Sequence, residues 1–547
     1  MFSIRVLPKL LVISYSPFRV LIGFFSLIAL VDSLAAGWAI SPFFYLAAVP
    51  AVLVCWWAWR VRDTEIETGV EGWDLGYGLD LANPRRPTRQ RVVLQDKVLK
   101  LGFLGLGAPG AGKTVSLAVG LIHYYSVHFF KRTQKRLGWA YLEGKGDKEI
   151  YQYCVALGAA PDLFFSSELV HSDEMNLFHG ESKDVIDIWS RILVPTGTND
   201  FYGNEQKRVL QIAVPLLKSL ADSKEVDVSL RDLYALLKYP DAPIKILAEA
   251  RAHQLPSSMI KMADDYFKEE FTERQNTIKG LMNKLFSFVD GARNDRINSY
   301  NPKIRLSEVV SGGQRIYFHL PLTEYAKDIA FAVCETFAAI ARDRQNYCDD
   351  RQLFPMIFDD WGGFFYDGFS KATARIRSAA MPAFFMFQSK GQKDEIDPTY
   401  SAQIDDTVTT KIFLRLMGAD TQAWASRGMG TFEDTTLSIS DKANDSLDSQ
   451  VLGVREVPRV KPEEFKGLHD GEAFISTTFK HERGEVSSTC VRVRFPLLSG
   501  DAQSVTWPIC EPLEGGKGLG LWDEFAVDQP ADSGGEVNSI ESKNQQD

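Results

Sequence analysis

The chain has 547 residues and a formal net charge of −10, and 45% of its residues are hydrophobic and 24% charged. This length exceeds one ordinary hydrophobic core, so we expect two or more domains. The acidic balance argues against a uniformly basic nucleic-acid coat protein, although it is compatible with a local basic groove. The cysteines are scattered without a C-x-x-C pair, which favours reduced thiols in a cytoplasmic body over disulfides or a zinc site.

Two apolar runs begin the chain, at residues 20–40 and 43–59. Each is near the length that spans a bilayer, and the second ends in tryptophans that suit a membrane interface. Basic residues flank the pair on both sides, which places both flanks in the cytoplasm. Residues 1–62 are therefore predicted to form a two-helix transmembrane anchor, with two buried helices of a globular core as the alternative. The polar residues 63–95 are predicted to be a linker that can include short strands.

A phosphate-binding P-loop is the strongest motif, because residues 107–114 match the pattern G-x-x-x-x-G-K-[ST]. An apolar run at 98–106 precedes it and a potential helix at 115–122 follows it, which is the strand–helix junction that the motif requires. Glycine lets backbone N–H groups approach phosphate oxygens, Lys113 is expected at the β- and γ-phosphates, and the Thr114 hydroxyl is expected to ligate Mg²⁺. The predicted ligands of ATP are Gly107, Ala108, Pro109, Gly110, Ala111, Gly112, Lys113, Thr114 and Val115. An empty glycine-rich turn is the alternative.

A nucleotide-binding domain in two parts is predicted at 96–200 and 301–510. An all-α domain interrupts it at 201–300, where apolar residues recur at helical spacing. In the first part, residues 139–142 read as a strand, followed by a turn with Lys145 between two glycines. Because strand carboxyl ends face the ligand crevice of an open parallel sheet, Lys145 is expected near the nucleotide or a neighbouring subunit. A solvated turn is the alternative.

A second strong signal is the apolar run at 353–358, which is followed by Asp359 and Asp360. In P-loop nucleoside triphosphatases such a strand delivers an acid to the Mg²⁺ site. We assign Asp359 to Mg²⁺, largely through its water ligands, and Asp360 to orienting or deprotonating the attacking water. Two solvated loop acids are the alternative.

Gln388 ends another apolar run, at 381–387. A glutamine at that position can sense the γ-phosphate through a hydrogen bond to water or oxygen, or it can be a neutral strand-end residue. Further strands are predicted at 314–320 and 409–416, and a hairpin within 471–495. These runs complete the second part of the predicted nucleotide-binding domain.

The acidic C-terminal residues 511–547 have little apolar content and are predicted to be a disordered tail. Trp522 and Phe525 lie among its acids. They form either a short partner-binding segment or part of a passive tail, and composition favours the passive tail.

These residues together resemble one family, the coupling proteins of bacterial conjugation and type IV secretion of the TraG/TraD type. The likeness runs from the anchor to about residue 495 and includes the P-loop, the Lys-Gly turn, the helical insertion and the acidic strand end. It also includes Arg377, which lies eleven residues before Gln388, and a second glutamine at Gln392. The family usually has Asp-Glu where this chain has two aspartates, and Asn-Pro where this chain has Asn-Leu at 176–177.

The resemblance implies a RecA-like P-loop domain of α/β class in a ring of six subunits. The ring would lie at the bacterial inner membrane, with both termini and the main body in the cytoplasm. An arginine from the neighbouring subunit would stabilise charge on the γ-phosphate. Arg377 is the first candidate and Arg375 its rival, and a surface salt bridge is the alternative for each. The basic run at 131–136 would either contact DNA phosphates or form a solvated helix face.

The resulting prediction is a membrane-anchored ATPase that drives substrates to a type IV secretion channel. Its expected partners are DNA with a relaxase complex or secreted proteins, channel components, and membrane lipids around the anchor. The predicted catalytic residues are Lys113, Asp360, Arg377 and Gln388. A DNA pump of the FtsK or HerA kind is one alternative. A nucleotide-gated substrate receptor without strong hydrolysis is another, because the aspartate at 360 must reach further to activate water than the family's glutamate.

Overall fold

The computed structural model describes residues 72–79, 87–194, 201–364, 366, 368–394, 398–440, 449–480, 486–496, 498, 505–513 and 515–526. The predicted transmembrane anchor at 1–62 lies outside the described residues, as do linker residues 63–71 and tail residues 527–547. Within the described part of the chain, no helix is both long enough and apolar enough to cross a membrane.

Most strands of the described chain join one large sheet. In chain order the strands are β1 (Gly72–Leu79), β2 (Pro87–Gln95), β3 (Phe103–Leu106), β4 (Trp139–Glu143), β5 (Leu163–Ser166), β6 (Arg315–His319), β7 (Met356–Asp359), β8 (Ala383–Phe387), β9 (Thr410–Phe413), β10 (Thr431–Ser440), β11 (Ser449–Pro458), β12 (Glu472–Lys480) and β13 (Val486–Arg494). The large sheet has the order β2-β1-β13-β12-β9-β3-β8-β7-β4-β6-β5, and β10 pairs with β11 alone.

Helices cover the sheet and build a separate layer. They are α1 (Asp96–Leu99), α2 (residues 114–133), α3 (Glu149–Ala156), α4 (Ser182–Leu193), α5 (Phe201–Lys224), α6 (Leu230–Lys238), α7 (Ala242–Ala252), α8 (Ser257–Phe267), α9 (Phe271–Phe286), α10 (Leu306–Ser311), α11 (Glu324–Tyr347), α12 (Phe369–Ser378), α13 (Lys390–Asp394), α14 (Pro398–Thr407), α15 (Ala419–Met429) and α16 (Leu521–Ala526). Helix α2 alternates π-helical segments, Thr114–Val119 and Tyr124–His128, with α-helical ones, Gly120–His123 and Phe129–Thr133. Short 3₁₀ turns occur at Ala292–Ile297, Trp361–Phe364 and Pro462–Phe465.

Seven neighbouring strands, from β9 to β5 in the sheet order, are parallel. Their sequences are continuous apolar runs, such as Ala-Phe-Phe-Met-Phe in β8, because a parallel sheet is covered on both faces. All their carboxyl ends meet at one edge of the sheet. The runs predicted as strands at 139–142, 314–320, 353–358, 381–387 and 409–416 each overlap one of these strands, and the predicted α/β class is confirmed.

Helices α5 to α9 lie at 201–286, within the region where spacing predicts an all-α domain. Their buried residues, such as Leu210 and Leu233, belong to the same hydrophobic cluster as Leu106 of β3 and Leu142 of β4. The helical layer therefore shares its core with one face of the sheet.

The region predicted as a linker, 63–95, differs from that expectation over its described residues. Strand β1 pairs with β13 on one side and with β2 on the other, so both strands extend the main sheet. Trp73 is buried, and its ring lies 6.0 Å from the Phe103 ring of β3. The three glycines of β1 interrupt the alternation of apolar and polar residues that marks a strand. One of its two pairing partners, β13, is more than 400 residues away in the chain.

A segment near the C-terminus crosses the body of the protein. We name residues 505–513 and 515–526 the C-terminal strap. The Trp507 ring lies 4.8 Å from the ring of His319, which ends β6. The strap therefore begins its described course against the carboxyl edge of the parallel sheet.

The strap ends in helix α16, which packs on α6. The Leu521 N–H donates a hydrogen bond to the buried carboxylate of Asp232 at 3.0 Å, and the Trp522 ring lies 5.7 Å from the Tyr234 ring. These contacts correct the prediction of a disordered tail at 511–547 as far as residue 526. The aromatic side chains of the segment pack against aromatic residues at helix α6 of the same chain, and this packing cannot be predicted from composition alone.

The substitution Trp522→Ala is expected to release α16 from α6. Loss of one largely packed aromatic side chain removes about 2 kcal/mol of docking free energy, so the undocked strap becomes about thirtyfold more populated. Native-state proteolysis within the strap should accelerate by a similar factor, because cleavage follows the open population. Ile509→Ala is the control, since Ile509 lies in the same strap and is exposed. Equal cleavage rates in the two variants would contradict the docking.

Candidate functional site

The P-loop is held in place by the strands beside β3. The Gly107 N–H donates to the Phe387 carbonyl at 3.1 Å, and the Ala108 N–H donates to the Arg415 carbonyl at 2.9 Å. Gly110 and Gly112 have φ values of 74° and 87°, which side chains rarely tolerate. The conformation of the loop therefore requires glycine at these two positions. The loop leads directly into α2, whose first backbone N–H groups lie beside it.

Lys113 lies at the end of the loop with 6% of its surface exposed. Its ammonium forms an ion pair with the Asp360 carboxylate, and its Nζ lies 3.6 Å from Oδ1 of Asp359. The two sequence motifs, 247 positions apart, thus meet at one point. The carboxylates neutralise a buried cation, and a triphosphate would compete with them for it.

Asp359 ends β7 and is 4% exposed. Its carboxylate accepts hydrogen bonds from the Tyr141 hydroxyl at 2.9 Å and from the Asp360 N–H at 3.1 Å. Burial raises the pKa of Asp359 above its ordinary value, the Lys113 ammonium acts against this, and Asp360 adds to it. A further cation beside this carboxylate would therefore be favoured.

The residues around Asp359 fit a Mg²⁺ ion bound to a nucleotide. Mg²⁺ takes oxygen ligands and keeps several waters, so one carboxylate, one hydroxyl and phosphate oxygens are sufficient. Thr114 begins α2, and its side chain carries a hydroxyl of the kind such a site would use. Within the described ranges no group of three or more His, Cys, Asp or Glu side chains could form an all-protein metal cage, and none is needed here.

Asp360 has a backbone φ of 50°, an uncommon value for a residue with a side chain. The buried Trp361 follows it, and the Trp361 ring stacks on Phe364 at 4.7 Å and meets Phe358 at 5.1 Å. This aromatic packing fixes the turn after β7 and directs Asp360 at Lys113.

Gln388 follows β8, the strand between the P-loop strand β3 and the Asp359 strand β7. Its N–H donates to the side-chain oxygen of Gln392 at 2.7 Å, and the Gln392 N–H donates to the Ser389 hydroxyl at 3.1 Å. The structure therefore places Gln388 on the same sheet edge as Lys113 and Asp359, with Gln392 bracing the turn.

Arg377 and Arg375 are not brought to this edge in the same chain. Helix α12 runs back along the sheet from the turn after β7, so its last turn lies at the amino end of the strands. The Arg375 carbonyl accepts from the Gln345 side chain at 3.1 Å, and the Ala380 carbonyl accepts from the Phe354 N–H at 3.0 Å, both at that opposite edge.

The other predicted basic contacts are solvated. Lys145 follows β4 and forms an ion pair with Asp147, with 55% of its side chain exposed. Arg132 and Arg136 of the basic run each pair with an aspartate of the same chain. Their geometry is that of solvent-facing ion pairs.

Sequence reasoning missed Glu143, the last residue of β4. Glu143 is 1% exposed, and its Oε1 accepts the N–H groups of Lys145 at 2.6 Å and Gly146 at 2.7 Å. Its Oε2 is buried without a hydrogen-bond partner among the described residues. Burial raises the pKa of Glu143 to about 8. The sequence does contain a signal for this residue, namely an acid at the end of the strand that follows the P-loop helix.

A second missed element is the Arg415–Gly471 contact region beside the loop. The Arg415 guanidinium donates to the Gly110 carbonyl at 3.2 Å and pairs with Asp470 at 2.7 Å. The Gly471 N–H donates to the Ala111 carbonyl at 3.3 Å. These contacts depend on how β9 and β12 pack beside β3, so no local motif announces them.

The strand order and the meeting of Lys113 with two strand-end carboxylates define the P-loop nucleotide-binding class of α/β domains. No protein-family profile and no curated protein matches the sequence. The fold is that of the bacterial conjugative coupling protein TrwB. The unbound TrwBdeltaN70 structure superposes with a TM-score of 0.52 at 12% identity, covering 82% of this chain and 93% of that chain.

Two further TrwB structures give the same result. TrwB with an ATP analogue, ADPNP, has a TM-score of 0.52 at 11% identity, covering 82% of this chain and 94% of that chain. TrwB with ADP and Mg²⁺ has a TM-score of 0.51 at 12% identity, covering 81% and 94%. At this identity the likeness establishes the fold, which is the fold that the resemblance of the motifs predicts.

Proposed function

We propose that the protein is a Mg²⁺-dependent ATPase and a coupling protein that drives DNA or nucleoprotein substrates to a type IV secretion channel. One observation carries the proposal: Lys113 of the P-loop and the carboxylates of Asp359 and Asp360 converge at the end of parallel strands. The fold around them is shared with TrwB, whose solved complexes contain ADP with Mg²⁺ and an ATP analogue.

The phosphate chain of ATP would lie on the loop from Gly107 to Thr114. The backbone N–H groups at the start of α2 would donate to it, and the positive end of the helix would favour an anion there. Lys113 would leave its ion pair with Asp360 and contact the β- and γ-phosphates. The Lys113 ammonium thus exchanges a carboxylate partner for phosphate partners, which limits the electrostatic cost of nucleotide binding.

Thr114 and Asp359 would hold the Mg²⁺ ion, Asp359 largely through water. The ion neutralises charge on the β- and γ-phosphate oxygens. Asp360, released from Lys113 by the phosphates, would face the attacking water, and Gln388 on the intervening strand would sense the γ-phosphate. These roles are supported by the common sheet edge on which all four residues lie.

Assembly into a ring would complete the site. Arg377 lies at the far edge of its own sheet, so it can act as a catalytic group only on the nucleotide of a neighbouring subunit. A head-to-tail contact that closes produces such a ring, and six members are expected from the resemblance. The anchor at 1–62 would hold the ring at the inner membrane, where it meets lipids and the channel.

A nucleotide-gated substrate receptor is the second candidate, because the side chain of Asp360 is short and is already paired with Lys113. In this alternative the nucleotide stabilises an assembled state, and hydrolysis is slow. It is distinguished from the motor by turnover rate and not by nucleotide affinity.

The test is ATP hydrolysis by the full-length chain in lipid nanodiscs, with and without single- and double-stranded DNA. We expect turnover that DNA stimulates, and we expect the stimulation to weaken at least about tenfold between about 50 mM and about 200 mM salt, as phosphate-backbone contacts require. A neutral polymer of equal length is the control. Tight ATP binding with negligible turnover under all conditions would favour the receptor and exclude the motor.

A further inference from the structure

Two buried carboxylates end neighbouring strands of the parallel sheet. Glu143 of β4 and Asp359 of β7 are register partners, and the Gly144 N–H donates to the Asp359 carbonyl at 3.2 Å. Adjacent strands are about 4.8 Å apart, so the two side chains leave the sheet side by side. Glu143 therefore lies next to the position assigned to Mg²⁺, on the side away from the P-loop strand.

One oxygen of the Glu143 carboxylate is held by hydrogen bonds, and the other has none from the residues that the structure describes. Two N–H groups of the following turn hold Oε1, while Oε2 is buried and has no hydrogen-bond partner in the described chain. A buried polar atom without a partner is unfavourable, so a hydrogen-bond donor brought to Oε2 would be stabilised there. Burial is the main cause that raises the pKa of Glu143, and the charges of Asp147 and Asp359 add to it.

Asp360 is poorly suited to act alone on a water molecule. It has a shorter side chain than glutamate and its backbone has a φ of 50°, so its carboxylate has a short reach even after the phosphates draw Lys113 away. The next strand-end residue beyond Glu143 is His319, whose Nδ1 lies 2.9 Å from the Ser166 hydroxyl and whose ring packs on Trp507. His319 is therefore one strand further from the phosphates.

We propose that Glu143, beside Asp360, holds the attacking water during ATP hydrolysis, with Oε2 of its ionised carboxylate accepting a hydrogen bond from that water. The inference rests on the proposed function. The water oxygen forms a bond to the γ-phosphorus, the bond from that phosphorus to the β–γ bridging oxygen breaks, and ADP leaves with the electron pair. The water's protons leave with inorganic phosphate and solvent. Glu143 fixes the direction of attack, as a water-positioning residue does in other P-loop enzymes.

The substitution Glu143→Gln separates this role from a structural one. A glutamine keeps one oxygen for the N–H groups of Lys145 and Gly146, so the turn is retained. Its other atom is an NH₂ donor, which cannot accept from the water. A purely structural Glu143 therefore predicts normal turnover in this variant, whereas the proposed role predicts a loss.

In the full-length chain we expect Glu143→Gln to bind a fluorescent ATP analogue within about twofold of wild type and to lose about 100-fold in kcat. Glu149→Gln is the matched control, because Glu149 is an exposed acid on the helix after the same turn. Wild-type kcat in Glu143→Gln, together with a loss in Asp360→Asn, would overturn the inference and assign the water to Asp360. Absence of hydrolysis in the wild type would instead reject the proposed function.

A second measurement does not depend on how the variant folds. In a crystal structure of the wild-type chain with ADP, Mg²⁺ and aluminium fluoride, a water in line with the leaving oxygen should lie within hydrogen-bond distance, about 2.6–3.2 Å, of Glu143 Oε2. A water held by Asp360 alone, with Glu143 still turned into the 144–146 loop and no contact to it, would overturn the inference.

Discussion

Replacing Lys113 with alanine is expected to lower the rate of ATP hydrolysis at least about a hundredfold, because a buried positive charge at the β- and γ-phosphates is lost. Nucleotide affinity should fall as well, since the same ammonium contacts the ground state. The change also leaves the neighbouring carboxylates of Asp359 and Asp360 without their cation. The measurements are phosphate release under saturating ATP and binding of a fluorescent ATP analogue.

Lys145→Ala is the matched control for this experiment. Lys145 is a lysine of the same sheet edge whose ammonium is solvated and paired with Asp147. Its loss should change turnover by less than about twofold, as most surface substitutions do. Hydrolysis by Lys113→Ala within twofold of wild type would show that the P-loop does not carry the activity. Both variants should be compared by thermal unfolding, so that loss of fold is not read as loss of chemistry.

The largest effect on stability is expected from Glu472→Ala. Glu472 is the first residue of β12 and is fully buried, and its carboxylate accepts from Arg492 at 2.7 Å and from Arg494 Nε at 3.0 Å. Removing it leaves the Arg492 guanidinium buried without its counter-charge, which costs about 3–5 kcal/mol. A marked fall in the thermal unfolding midpoint should follow.

The pH dependence of this cluster gives a second measure of the same effect. Burial raises the pKa of Glu472, but the two guanidiniums outweigh it and hold the pKa below its ordinary value. The stabilisation is therefore present above the unfolded-state pKa, about 4.3, and is lost as pH falls through the lower folded-state value. Glu463→Ala, which removes an exposed acid of the preceding turn, should leave both the midpoint and the pH profile unchanged. Equal midpoints for Glu472→Ala and wild type would contradict the burial of this ion cluster.

The parts of the site that sequence predicts are those set by short-range chemistry. The P-loop is a local pattern, and a buried strand followed by Asp359 and Asp360 is another, so each could be recognised without the fold. Their meeting at Lys113 follows from the rule that parallel strands end at one edge. Gln388 is placed on that edge by the same rule.

The parts that sequence does not predict depend on pairing between distant segments. Arg415 reaches the loop because β9 pairs with β3. Residues 72–79 form a strand because they pair with β13. Glu143 looked like the first residue of a turn around Lys145, and only its burial and its register with Asp359 show otherwise. Arg377 has a sequence spacing that resembles the family's, but a contact with a neighbouring subunit is a relation between chains that one chain cannot specify.

The contact of Gly471 with Ala111 has a mechanical consequence. Gly471 leads directly into β12, which is hydrogen-bonded to β13, which in turn is hydrogen-bonded to β1. The P-loop and β1, the first strand of the described chain, are thus connected in series through a ladder of paired strands. A small displacement of the loop would therefore be transmitted along that ladder to β1, at the opposite side of the sheet.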